Sequence, residues 1–250
     1  MFPTNCTNFF CHLNLLSVLI LLYYHLLFFF ARECYYNLMI SSLVITIFSL
    51  IILLFSVIAH ELAHGYVANS LGDPTAKYSG RLTLNPIKHL DPFGSVILPL
   101  LLFIAGSPFL FGWAKPVPVN PYNFTDKKYG ELKVSIAGPA TNFLLAIIFG
   151  LILRFVPYSL ISANQGIEIA LTYIVVINIW LAVFNLIPIP PLDGSWILFS
   201  FLPLSMQGTK NFLKQYGIVI LVLLILFAGS IWSAITGIIF QLITGHPLSF

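Results

Sequence analysis

Five nearly uncharged apolar runs, residues 13–30, 38–59, 132–155, 167–187 and 216–240, constrain this chain more than any other feature. A helix needs about 20 mainly apolar residues to cross the hydrocarbon core of a bilayer, and each run is near that length. Between them they hold only Lys133, Arg154 and Glu168 as charged side chains. A further apolar stretch, 93–113, differs: Pro99 and the Gly106-Ser107-Pro108 break divide it, so neither half is long enough to cross alone. Charged residues make up 8% of the sequence, against about 25% in soluble domains, which is too few to wet the surface of a globule of this size. The fold expected is therefore an all-α polytopic membrane protein of about five to six transmembrane helices packed as one unit. The net charge of +3 is spread over loops, with no basic stretch of the kind that binds nucleic acid.

The first run reads as an addition. It lacks the Lys/Arg that precede a signal peptide's apolar core, and Arg32-Glu33 is a poor cleavage site. Residues 1–38 are accordingly expected to be an extra hydrophobic helix, with 39–250 as the main domain. Cys6, Cys11 and Cys34 all lie in that extension, where they can neither staple the main body nor form a zinc-finger pattern.

Chemistry is concentrated at the end of the second run, in His60-Glu61-Leu62-Ala63-His64. Residues four apart share a helix face, so both imidazoles can bind one zinc ion, with Glu61 beside them to take a proton from a water that the metal acidifies. The pattern is short and recurs by chance, and the pair could instead sit at the membrane interface with Glu61 in water. Polar groups at the end of a membrane helix are costly to place, which favours a functional reading. A catalytic zinc needs a third protein ligand and one open position. Asp73, Asp91, Asp126 and Glu131 lie in polar loops, and Glu33 and Glu168 beside the opposite ends of spans. Asp193 stands out because it follows the broken stretch Pro188-Ile189-Pro190-Pro191-Leu192, which cannot continue as helix. From the dipeptide alone, Asp193-Gly194 could equally be an ordinary turn.

The distribution of positive charge tests whether these residues can meet. Lys77, Arg81 and Lys88, then Lys115, Lys127, Lys128 and Lys133, then Lys210 and Lys214 fall in three loops, leaving only Arg32 and Arg154 elsewhere. By the positive-inside rule all three loops are cytoplasmic. The histidines and Asp193 then share one side, and stretch 93–113 must be re-entrant, turning near Gly106-Ser107-Pro108.

With these residues in view, the chain resembles the site-2 protease family of intramembrane zinc metalloproteases, in its compact bacterial and archaeal form without a PDZ or CBS domain. The resemblance runs from about Met39 to about Phe240. It rests on His60-Glu61-Leu62-Ala63-His64-Gly65, Gly138-Pro139-Ala140-Thr141-Asn142, Asn185 with Pro190-Pro191-Leu192-Asp193-Gly194, and the stretch from Gly112 to Pro121. It implies one zinc ion per chain held by His60, His64 and Asp193, Glu61 as general base, and active-site positions for Asn142 and Asn185. The two amides could hold substrate backbone or a developing oxyanion, or simply bond across helices. Lys115 to Pro121 would be a short extended, β-like segment able to pair with an unwound substrate, or a rigid proline loop. The implied activity is hydrolysis of transmembrane or membrane-associated proteins near the cytoplasmic face of a multi-pass cell-membrane enzyme. Substrate, bilayer and any regulatory membrane partner are the implied contacts. A metal transporter using the same polar groups is the rival from another class, and the lack of further carboxylates inside the spans argues against it.

Overall fold

The computed structural model describes residues 39–104, 115–157 and 165–248. The first apolar run, the three cysteines and the expected turn at Gly106-Ser107-Pro108 lie outside the described residues. The described elements are helical, with no strand among them. In chain order they are α1 (Met39–Ser70), α2 (Thr75–Tyr78), α3 (Leu98–Ile104), α4 (Gly130–Phe155), α5 (Gln165–Asn185), α6 (Asp193–Phe201), α7 (Gln207–Phe227) and α8 (Gly229–Thr244). Single turns at Pro86–Lys88, Pro121–Asn123 and Leu204–Met206 and a wider turn at Pro92–Ile97 complete them.

Among the described residues, four helices are long and apolar enough to cross a membrane: α4, α7, and the stretches Ile47–Ser70 of α1 and Gly166–Asn185 of α5. The 216–240 run, expected as one span, is instead divided between α7 and α8. Ala228 leaves helical geometry (φ −106°, ψ 15°) and ends one helix while starting the next. Gly229 follows, a weaker helix former than the residues on either side. The break leaves few polar groups bare: Ala228 N–H still donates to Leu224 O, and its carbonyl accepts from Ile231 and Trp232.

Helix α5 is the most enclosed of these four helices and packs against α1, α4 and α8. Its Ile177, Leu181 and Phe184 meet Ile52, Leu53 and Val57 of α1 and Leu221 and Ile225 of α7. Its Val175, Val176 and Ile179 meet Ala146 of α4 and Phe240 of α8. A helix enclosed on several sides must be apolar around most of its circumference, which is why this run shows no amphipathic pattern. On α1, Val44, Ile47, Leu50, Ile51 and Phe55 face outward and exposed. An apolar exterior of this kind suits lipid, since a bilayer imposes no demand for polar groups on the outer face. The chain is a multi-pass membrane protein built from α-helices.

Candidate metal centre

Three chain segments meet at one level of the bundle: the second half of α1, the first half of α4 and the start of α6. Helix α1 brings His60 and His64 to one face a turn apart, with ring centroids 4.7 Å apart and planes at 82°. Helix α4 lies against both rings because Gly138 has no side chain. A β-carbon there would stand 2.5 Å from His60 Cε1, His60 Nε2 and His64 Nε2. Asp193 opens α6 after a loop in which Ile189 N–H donates to Ile187 O and Leu192 N–H to Ile189 O. Gly194 lets this loop close, since a β-carbon would collide with the Leu186 carbonyl. The carboxylate thus stands in the first turn of a helix, where the peptide dipoles favour negative charge.

His60 Nε2 lies 3.0 Å and His64 Nε2 3.3 Å from the same oxygen, Asp193 Oδ2. His60, His64 and Asp193 are the one group of three or more His, Cys, Asp or Glu, among the described residues, that could hold a metal ion, with ligand atoms within 4.8 Å of one another. The remaining ring nitrogens decide the chemistry. His60 Nδ1 faces Asn142 Oδ1 at 2.6 Å, and His64 Nδ1 faces the Val134 carbonyl at 2.7 Å. Both partners are oxygen acceptors, so each Nδ1 carries the proton and donates it. Nε2 is then the nitrogen of each ring that faces the Asp193 carboxylate and can offer its lone pair to a cation. Two imidazole nitrogens and a carboxylate oxygen converging on one point make a ligand set suited to a cation, and the outward Nδ1–H···O bonds are the usual second support of a metal-binding imidazole. The residues fit a zinc site.

Glu61 follows His60 on α1, and its Oε2 accepts from Val117 N–H at 2.8 Å. Val117 belongs to the irregular segment 115–120, which has no strand partner among the described residues but is held at several points. Lys115 N–H donates to His89 O at 3.0 Å, and Arg81 donates to the carbonyls of Lys115 and Pro116 at 2.8 and 3.0 Å. At its far end, buried Asp73 accepts from Asn120 N–H at 2.6 Å, Asn123 Nδ2 at 2.8 Å, and the Thr75 hydroxyl and N–H. Burial alone would raise the Asp73 carboxyl, but these hydrogen bonds outweigh it and hold the group below its ordinary value.

The remaining candidates separate clearly. Asn142, fully buried, spends its oxygen on His60 and its amide on Asn178 Oδ1 (2.9 Å) and Ser56 O (3.3 Å). Asn185, also fully buried, donates to Leu181 O at 2.8 Å and leaves Oδ1 without a hydrogen-bond partner. Asp91 caps a turn through Gly94 N–H, and Asp126 pairs with Lys133 at 2.7 Å. Neither these acids nor Asp73, Glu131 or Glu168 joins the histidines. Sequence reasoning missed Ser56 and Asn178. A signal for Asn178 existed, because it is an amide in the middle of an apolar span, as Asn142 is. No sequence signal could have found the Val134 carbonyl or the Val117 N–H, since any residue supplies them.

Proteins similar to this chain carry zinc metalloprotease names. The model of Peptidase family M50 matches residues 156–228. YwhC of Bacillus subtilis, a candidate zinc metalloprotease by name, is 42% identical over 205 residues, 80% of this chain and 87% of its own length. Rip2 of Mycolicibacterium smegmatis, a similarly named candidate, is 32% identical over 174 residues, covering 69% of this chain and 64% of its own length. Zinc metalloprotease MJ0392 of Methanocaldococcus jannaschii is 31% identical over 150 residues, 60% of this chain but only 33% of that protein. No solved structure matches the chain. A helical membrane bundle with a zinc-competent His-His-Asp cluster, and a 42% identity that spans most of both chains, establish that the chain belongs to peptidase family M50 and is a zinc metalloendopeptidase of the site-2 protease type.

Proposed function

We propose that this enzyme cleaves transmembrane or membrane-associated proteins near the cytoplasmic face of the cell membrane, with His60, His64 and Asp193 as the zinc ligands and Glu61 as general base. The observation that carries the reading is the convergence of two imidazole nitrogens and a carboxylate oxygen on one point, each imidazole oriented by an oxygen behind it. Zinc bound there supplies a Lewis acid that acidifies a water and polarises the scissile carbonyl. Glu61 takes a proton from the attacking water as its oxygen bonds to the carbonyl carbon. It returns that proton to the amide nitrogen as the C–N bond breaks. Asn142 serves by holding His60, and its fully engaged amide supports that role over direct contact with substrate. Asn185 keeps an unpartnered buried oxygen, which suits acceptance of a substrate N–H.

The anchored segment 115–120 lies one hydrogen bond from Glu61, which supports its use as a guide for an unwound substrate chain. The end of α1, the start of α4 and the end of α5 meet at one level, and their loops carry most of the positive charge. That supports a cytoplasmic opening, with stretch 93–113 entering and leaving on one face. Residues 39–250 are then the catalytic unit, with 1–38 as an extension.

The test is a reconstituted transmembrane substrate in liposomes, with zinc content measured alongside. Glu61→Gln should keep its zinc and lose cleavage by about 10²–10⁴-fold. Cleavage by that variant at the wild-type rate refutes the assignment of Glu61, and zinc flux without cleavage refutes the protease reading.

A further inference from the structure

A line of polar side chains runs from His60 into the apolar body of the bundle. Asn178, in the middle of α5 and 1% exposed, is its far member. Its Nδ2 donates to the Ile174 carbonyl and to Ser56 Oγ, both at 2.9 Å, and its Oδ1 accepts from Asn142 Nδ2 at 2.9 Å. The direction of each bond follows from groups that cannot reverse. A backbone carbonyl only accepts, so Ile174 O requires the NH₂ end of Asn178 and turns the oxygen toward Asn142. The Ser56 carbonyl favours the same NH₂ end of Asn142, but at 3.3 Å it is the longer of that group's two bonds, the one to Asn178 being 2.9 Å. The orientation that Ile174 O fixes at Asn178 and the one that Ser56 O favours at Asn142 agree with each other. Asn142 Oδ1 is therefore left facing His60 Nδ1.

We propose that Asn178 is a positioning residue for the metal centre: it fixes the polarity of an Asn178–Asn142–His60 chain that keeps a proton on His60 Nδ1 and so turns Nε2 to the metal position. A reversed Asn142 amide would set its NH₂ against the Nδ1–H of His60 and its oxygen against Ser56 O. In a low-dielectric interior both arrangements are costly, so the chain favours one state. The structural placement explains why an amide stands in the middle of the most enclosed helix, where an apolar residue would pack without needing partners. The inference rests on the reading of His60 as a zinc ligand only for its effect on metal binding. Its statement about the His60 Nδ1 proton stands without it.

The experiment uses full-length protein in detergent micelles, with ¹⁵N-labelled histidine. The His60 signals are identified by their loss in His60→Gln. In metal-free wild type, His60 Nδ1 should carry a proton; a bare Nδ1 overturns the proposal, whichever variants fold. Asn178→Leu, which removes the acceptor for Asn142 and keeps bulk, should show Nδ1 only partly protonated. Its cobalt affinity, measured by chelator competition, should fall about tenfold, at the lower end of the range for outer-shell partners of a metal ligand. Asn178→Asp, protonated at this depth, keeps one acceptor for Asn142 and one donor for Ile174 O, and should restore affinity to within about threefold. Wild-type Nδ1 protonation and cobalt affinity in Asn178→Leu, or no rescue by Asp, overturn the assignment. A wild-type protein with the expected Nδ1 proton but no zinc or cobalt binding overturns the metal-site reading instead, so the two failures are told apart.

Discussion

Replacing Gly138 with alanine tests the centre without removing any polar group, because it adds one carbon and takes nothing away. That carbon would lie 2.5 Å from both Nε2 atoms and from His60 Cε1. Carbon contacts are comfortable at about 3.5–4.0 Å, so roughly 1 Å of displacement must be found. Neither ring can supply it freely, since His60 is tied to Asn142 at 2.6 Å and His64 to the Val134 carbonyl at 2.7 Å. Val134 belongs to the same helix as Gly138, so moving α4 away drags the partner of His64 with it. The fold should tolerate the change better than the site does. Alanine favours a helix interior over glycine by about 1 kcal/mol, which offsets part of an overpacking cost of about 1–3 kcal/mol. The net loss of stability is then at most about 2 kcal/mol. A misplacement of about 1 Å at reacting groups costs about 10²-fold in rate, and a methyl group between the two Nε2 atoms also fills space that an ion needs. Zinc content, thermal midpoint and substrate cleavage should be measured on one preparation. The expected outcome is a folded protein with little zinc and turnover down by about 10²-fold or more. Wild-type zinc content together with wild-type turnover would refute the argument that the glycine makes room for the metal.

Three further substitutions follow from the same geometry. Asp193→Ala removes the carboxylate oxygen that faces both histidines and should lower zinc affinity by more than the roughly 100-fold seen at outer-shell positions, read by chelator competition. Gly194→Ala drives a β-carbon against the Leu186 and Ile187 carbonyls, which are backbone and cannot swing aside, so thermal stability and zinc content should fall together in this variant. Asp73→Asn sets an amide N–H against donors and should cost about 1–3 kcal/mol in stability while loosening segment 115–123 to proteolysis. Because the Asp73 carboxyl is held below its ordinary value of 3.8 in the folded protein, its contribution is present above that value and is lost as pH falls through the lowered one. The difference in thermal midpoint between wild type and Asp73→Asn should therefore shrink on acidification.

Much of this molecule is legible in the order of its residues. The apolar runs announce spans because a bilayer demands about 20 apolar residues per crossing, and α4 and α5 begin and end within a few residues of runs 132–155 and 167–187. His60 and His64 announce a shared face because helix periodicity is local. Asp193 could be singled out among the acids through the prolines before it. Its arrival within 3.3 Å of both imidazoles, however, is a fact of packing between segments more than 120 residues apart. The division of the last run at Ala228 was harder to read, since one Gly-Ser pair in an apolar run is a weak signal whose effect depends on what the flanking helices pack against.

What the sequence determines by itself is the solvent and the chemical vocabulary: a bilayer, imidazoles four apart, a glutamate beside them, one acid on broken backbone. Tertiary structure alone decides which nitrogen of each imidazole faces the metal position. It does so through a carbonyl of α4 at Val134, an amide at Asn142, and behind that amide Asn178 and Ser56. A carbonyl carries no sequence signature, and an amide reads the same whichever way it faces. The polarity of the centre is therefore set by hydrogen-bond partners that converge only when three helices are packed together.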